Sequence, residues 1–177
     1  VKNKLIISFI AGMSLEKLNT FLLNDNVIRA MPTLGISNGA SPIAFCSSKE
    51  IENSTSQEIL NKLGQCIKIE ESKFDAFTSI FGAGPAYISY LGNLLSEIAL
   101  SNGFENPEPL IQELLKGTYE IHNSANKPSF NEIKSMVASK GGVTEAALKK
   151  IESAGMEEIR KSAIEDAINQ SKKLGEN

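Results

Sequence analysis

Hydrophobic and polar positions follow two different rhythms along this chain. From Lys4 to about Glu71, short apolar runs of strand type interleave with short helical stripes. Leu5 to Ile10 reads as a buried strand. Ser14 is placed to cap a helix with Leu15, Leu18, Leu22 and Leu23 on one face. Val27–Ala30, Pro42–Cys46 and Cys66–Ile69 read as three further strands, the first ending at Met31-Pro32. Between the last two, Ser54 and Gln57 match a capping box ahead of Ile59, Leu60 and Leu63. Strands alternating with helices predict α/β topology with a mixed sheet. Four strands with two helices cannot cover both faces of a parallel sheet, so this region is expected to be part of a larger doubly wound domain.

From Ser72 onward the rhythm is helical throughout. Ser72 and Asp75 match a capping box that opens Ala76–Ser96, 21 residues without a charge. Gly82-Ala83-Gly84-Pro85 breaks that stretch near its middle. Length and apolarity would allow a membrane span. Polar dilution by Thr78, Ser79, Ser89, Asn93 and Ser96, the central break and the absence of a flanking Lys/Arg cluster argue against one. After the break Tyr87, Leu91, Leu94, Leu95 and Ile98 recur at helical spacing, yet Ile88, Tyr90 and Ala99 between them are also largely apolar. A helix apolar on nearly all sides belongs in a large core or inside another chain's embrace. In 177 residues the intertwined subunit interface is the expected home.

Further helices are predicted from Pro107-Glu108-Pro109, with Ile111, Leu114, Leu115, Thr118 and His122 on one stripe, and from Ser129 and Glu132 as a capping box. Gly141-Gly142 separates the latter from a helix over Thr144–Ser153 that Gly155 ends. The last runs from about Met156 to Leu174, with Ile159, Ala163, Ile164, Ala167 and Ile168 inward.

Composition changes the picture mainly by exclusion. A net charge of -3 gives no electrostatic reason to bind nucleic acid or an anionic membrane. Cys46 and Cys66 lack metal-ligand spacing and are expected to be reduced and half-buried in a cytoplasmic protein. No signal peptide is evident, and a chain that starts at Val1 and enters a strand almost at once is expected to be a fragment or a processed product. His122 is the single histidine, which removes multi-His metal sites, and its polar neighbours place it on a helix surface. Glu70-Glu71 and Glu157-Glu158 read as solvated charge. Neither a dinucleotide fingerprint nor a Walker loop occurs, and Gly82-Ala83-Gly84 follows a helix, not a strand.

The segment with chemical promise is Val137-Ala138-Ser139-Lys140-Gly141-Gly142-Val143-Thr144, directly ahead of a helix. The amides of Gly142, Val143 and Thr144 are expected to point outward and, with the helix dipole, to bind a carboxylate or phosphate. Ser139 and Thr144 add hydroxyls for the same anion or a neighbouring heteroatom. The plainer alternative is a Gly-Gly loop with Thr144 as an N-cap.

Four short segments in order resemble pyrroline-5-carboxylate reductases. They are Ile7–Gly12, ending in Ala-Gly; Arg29-Ala30-Met31-Pro32; Phe74-Asp75-Ala76 with Gly82-Ala83-Gly84-Pro85-Ala86-Tyr87; and Val137–Thr144. The Ser171–Gly175 stretch is also similar. The resemblance implies the second half of a Rossmann-type domain over 1–71 and an all-helical dimerisation and substrate domain over 72–177, of the 6-phosphogluconate dehydrogenase C-terminal-like kind. It implies NAD(P)H-dependent reduction of a cyclic imine to proline, with NADPH or NADH as cofactor and a second copy of the chain as partner. Thr144 would hydrogen-bond the ring nitrogen, and Val137, Ser139, Gly141, Gly142 and Val143 would complete the carboxylate site. Phe9, Ile10, Ala11, Met31 and Pro32 would border the nicotinamide and ribose. The Gly-rich pyrophosphate loop of such enzymes has no counterpart here, so weak dinucleotide binding by these residues alone is expected. Thr33-Leu34-Gly35 and Asn38 depart from the family pattern, as do Ala138, Lys140 and Val143, Lys140 standing where Pro is usual. Two other readings remain at this point: a non-catalytic dimerisation or regulatory module, and another imine or hydroxy-acid reductase.

Overall fold

In the computed structural model, residues 4–47 and 54–176 are described, and they form two compact units: 1–87 with 162–177, and 88–161. The Ser54 side chain of the expected capping box lies outside the described residues, as does Val1–Asn3.

The first unit is built on a four-stranded mixed sheet in the order β1 (Ile6–Ser8), β2 (Val27–Met31), β3 (Ser41–Ser47), β4 (Gly64–Lys68). β1 and β2 run parallel, with Ser8 opposite Arg29, β3 runs antiparallel to β2, and β4 parallel to β3. Helix α1 (Leu15–Leu22) covers one face. Ser14 caps it, its hydroxyl accepting from the Lys17 amide at 3.2 Å. Leu23 is not on the apolar face: it is the left-handed C-cap (φ 48) and is 75% exposed. Helix α2 (Ser54–Leu63) covers the other face, where Leu60 packs with Ile28, Ala30 and Ile43.

On the α1 face, Leu15, Leu18, Val27 and Ala44 share a core with Phe74 and Phe77. Those two phenylalanines come from α3 (Phe74–Phe77), which follows a 3-10 turn at Glu71–Lys73. The Ser72–Asp75 capping box does not form: Ser72 Oγ donates to Glu70 Oε2, while Asp75 Oδ1 accepts from Ser171 Oγ at 2.7 Å. The Gly-Ala-Gly break is a π-type turn over Thr78–Gly82, after which α4 (Gly84–Ser101) starts afresh.

Glu71 is not solvated charge. Its Oε1 accepts from the Leu15 amide at 2.7 Å and from Arg29 Nη1 at 3.0 Å. Arg29 is buried, and its guanidinium lies 4.4 Å from the Phe74 ring centre. One carboxylate thus joins the start of α1 to the middle of β2, beneath an aromatic roof. Glu71→Gln keeps an acceptor but leaves the buried cation unneutralised. We expect it to cost about 1–2 kcal/mol, read as a drop of a few degrees in Tm. Burial, with the Glu71 charge, pushes the neighbouring Cys46 thiol up to about 11, Arg29 opposing. Cys46 therefore stays an unreactive thiol at neutral pH. Cys66 is half-buried, and burial raises its thiol too.

The second unit holds most of α4, then α5 (Glu108–His122), α6 (Phe130–Val137), α7 (Val143–Ser153) and the first part of α8 (Met156–Glu176). Pro107 is the N-cap of α5, and Ser129 with Glu132 forms the reciprocal capping box of α6. Gly155 follows the end of α7, as expected. His122 is half-buried, not an open helix-surface residue. Its Nδ1 lies 2.9 Å from the Pro128 carbonyl, its ring meets Phe130 edge-on, and it closes the α5–α6 connection. In α8, Ile164, Ala167 and Ile168 are half-buried as expected, whereas Ile159 and Ala163 are exposed in the single chain. The same holds along α4 and α5, where Ile88, Tyr90, Leu91, Ile98, Leu110, Leu114 and Tyr119 are all exposed. Apolar exposure on this scale is characteristic of interaction faces. Among the described residues, no helix is long and apolar enough to cross a membrane.

Candidate substrate loop and cofactor edge

The loop between α6 and α7 is set by local chemistry. Ser139, Lys140, Gly141 and Gly142 form a tight turn in which the Gly142 amide donates to the Ser139 carbonyl at 2.9 Å. Gly141 occupies the third position with φ +74, the left-handed value that a type II turn requires there and that glycine adopts without strain. Lys140 occupies the second position, where proline is favoured in such turns. Gly142 then caps α7 in extended conformation (φ -82, ψ 170), and the helix starts at Val143.

This geometry corrects two expectations. The Gly142 amide points into the turn, not out of it, and Thr144 is the second residue of α7, not its N-cap. The amides of Val143 and Thr144 sit in the first turn, where no intrahelical acceptor is available. The Thr144 side chain is half-buried beside them, Ser139 is exposed, and Val137 and Val143 present apolar surface, Val143 at 89% exposure. The segment thus carries two first-turn amides, the hydroxyls of Ser139 and Thr144 and the positive end of a helix dipole.

Glu145, in the first turn of α7, bonds the loop and is not singled out by the sequence pattern. Its Oε2 accepts from the Gly141 amide at 2.7 Å, and its Oε1 pairs with Lys149 at 3.0 Å. The backbone bond, then the Lys149 contact, hold its carboxyl below the ordinary carboxylate range. Its support for the loop is present above the ordinary carboxylate pKa and is lost as pH falls through the lowered one. The usable signal was its place three residues after Gly142, the spacing of a capping glutamate. Lys140 forms no ion pair with the described residues.

The expected cofactor edge lies in the first unit. Because β1 and β2 are parallel and in register at Ser8 and Arg29, their following residues leave the same end of the sheet side by side. Phe9, Ile10 and Ala11 are exposed there, with Met31 and Pro32 half-buried. Beyond them, Thr33 caps a 3-10 turn at Leu34–Asn38, its hydroxyl accepting from the Gly35 amide and its own amide donating to Ser41 Oγ at 2.8 Å. Met31 touches a residue of the uncharged segment, since a Cβ at Gly82 would lie 3.3 Å from Met31 Cε. The glycine break is thus what lets the methionine seat itself, a contact no local pattern announces. Among the described residues, no glycine-rich loop follows a strand. Phe9–Ala11 with Met31–Pro32 and Val137–Thr144 belong to different units.

Comparison with known proteins gives a consistent result. The profile described as pyrroline-5-carboxylate reductase dimerisation matches residues 71–174. The pyrroline-5-carboxylate reductase of Synechocystis sp. is 30% identical over 97% of this chain, which covers 66% of that protein. The enzyme of Aquifex aeolicus is 29% identical over 96% of the chain and 66% of its own length. Among solved structures, the Plasmodium falciparum pyrroline carboxylate reductase with NADP bound superposes with a TM-score of 0.83 at 27% identity, over 97% of this chain and 71% of that one. A Coxiella burnetii pyrroline-5-carboxylate reductase gives 0.86 at 25% identity, over 96% and 65%. The chain spans just under two thirds of the length of the first curated relatives it matches.

Proposed function

Given that this chain belongs to the pyrroline-5-carboxylate reductase family, we propose that it carries the substrate loop and the nicotinamide edge of an NAD(P)H-dependent reductase. Its reaction is conversion of 1-pyrroline-5-carboxylate to L-proline in the cytoplasm. The observation that supports this reading is the Ser139–Gly142 turn, which ends directly at the start of α7, so that the amides of Val143 and Thr144 stand in its first turn.

The substrate carboxylate lies against the amides of Val143 and Thr144, with Ser139 donating from the turn. Thr144 Oγ1 meets the ring nitrogen and holds the imine in orientation. When bound, the dinucleotide supplies a hydride. The imine carbon receives it, the π pair of the C=N bond passes to nitrogen, and the proton on nitrogen completes the amine. Positioning accounts for most of the rate, since a protonated imine is already electrophilic. Phe9, Ile10, Ala11, Met31 and Pro32 border the nicotinamide and keep water from its reactive face. The active species is a homodimer in which the exposed apolar faces of α4 and α5 are covered by a second copy. Residues 1–71 act as the dinucleotide side and 72–177 as the dimerisation and substrate side.

The test is Thr144→Ala in the protein at its natural length, assayed at saturating cofactor with folding checked by circular dichroism. We expect kcat/KM for pyrroline-5-carboxylate to fall by roughly one to two powers of ten, the scale of a lost hydrogen bond to a charged group. Full activity would reduce Thr144 to an ordinary helix residue. The family match favours this reading over a non-catalytic module or a different imine or hydroxy-acid reductase.

A further inference from the structure

The last turn of α8 reaches the loop that leaves β1, and three observations there converge. Gly12 and Gly175 meet backbone to backbone: a Cβ at Gly175 would lie 2.8 Å from the Gly12 carbonyl oxygen, and one at Gly12 would lie 3.3 Å from the Gly175 nitrogen. Lys17, in the first turn of α1, donates from Nζ to the Gly175 carbonyl at 2.7 Å. One turn earlier on α8, Ser171 Oγ donates to Asp75 Oδ1 at 2.7 Å.

Each contact has a physical reason. Gly12 stands at φ +73, so the chain there is held in a conformation that only glycine takes freely. The Lys17 ammonium sits on a last-turn carbonyl of a long helix, where the dipole favours a cation. Asp75 follows the 3-10 turn that carries Glu71, so α8 is moored to the segment that also locks α1 to β2. The loop so held is not an ordinary surface turn. Phe9, Ile10 and Ala11 immediately precede Gly12.

We propose that the last turn of α8 is a strap that sets the backbone of Gly12 and thereby the position of Phe9–Ala11 at the nicotinamide edge, which makes Lys17 and Gly175 positioning residues for cofactor binding. The inference rests on the proposed role of Phe9–Ala11. Neither Lys17 nor Gly175 needs to touch the cofactor. Adding a methyl at Gly175 meets a carbonyl oxygen that cannot rotate away, so either the strap lifts or the loop shifts.

The experiment uses Gly175→Ala and, as a variant that adds no bulk, Lys17→Met, each in the protein at its natural length. Two readouts are taken: steady-state constants for NAD(P)H and for pyrroline-5-carboxylate, and amide hydrogen exchange over residues 9–13 against β2. We expect KM for the dinucleotide to rise roughly tenfold in Gly175→Ala and several-fold in Lys17→Met, with kcat at saturating cofactor within about twofold. KM for the imine stays unchanged and exchange accelerates at residues 9–13 alone. A merely structural contact would instead lower Tm and leave both KM values in place, and that result overturns the proposal. If Gly175→Ala fails to fold, Lys17→Met carries the same decision. Accelerated exchange at 9–13 with an unmoved dinucleotide KM would keep the strap and refute the role of Phe9–Ala11. Unaltered exchange in both variants would refute the strap itself.

Discussion

Leu91→Asp is expected to convert the dimer into a monomer or an unfolded chain. Leu91 is 53% exposed in the single chain, on a helix whose neighbouring positions Ile88, Tyr90 and Ile98 are also open. In the proposed dimer this face is buried, and an aspartate there would be desolvated without a partner. The cost of such an uncompensated charge is about 3–5 kcal/mol, or at least roughly two powers of ten in the dimer Kd. Light scattering at micromolar concentration reads the result directly. Glu97→Gln, on the same helix, removes a charge already exposed to water and should leave the mass unchanged. A Leu91→Asp protein that keeps dimeric mass and Tm would place the interface elsewhere.

Gly142→Val should reduce kcat/KM for pyrroline-5-carboxylate by at least roughly two powers of ten, more than Thr144→Ala does. A Cβ at Gly142 would lie 2.6 Å from Ser139 Oγ and 3.0 Å from the Ser139 carbonyl oxygen. The hydroxyl can rotate away, but the carbonyl is the acceptor of the turn and cannot. The turn must open, which displaces the amides of Val143 and Thr144 that the proposal assigns to the substrate carboxylate. Lys140→Pro makes the opposite case, since the second turn position accepts proline with its φ already set. That variant should keep or improve activity. Equal losses in both variants would mean that turn geometry is not what serves the substrate.

Much of this arrangement was legible because it is local. The caps at Ser14 and Ser129, the strand at Val27, and the glycines around α7 each declare themselves within a few residues. The turn at Gly141-Gly142 is equally legible as a turn, although the sequence does not reveal that the Gly142 amide is spent on Ser139. What escaped has its cause at a distance. Glu71 looks like one of two adjacent surface charges until Arg29, 42 positions earlier, is brought beneath it. Asp75 is a plausible capping residue until Ser171 arrives from 96 positions away and claims its carboxylate. His122 looks exposed in a polar stretch, yet the return of the chain at Pro128 and Phe130 encloses it. Helical period alone places Ile159 and Ala163 inward, and it cannot say whether the apolar stripe meets its own chain or another.

The seating of Phe74 and Phe77 in the sheet's own core bears on how this protein can be taken apart. Both residues fall inside the stretch matched to the dimerisation family, yet they fill space beneath α1. A protease or an engineer cutting at the compositional border near residue 71 would pull two aromatic plugs from one piece and leave them bare on the other. Recombination between relatives meets the same obstacle, because a helical half from one parent must carry aromatics that fit the sheet of the other. Crossovers placed after Phe77 spare that fit, so the seam along which this chain tolerates exchange lies several residues downstream of the seam its composition displays.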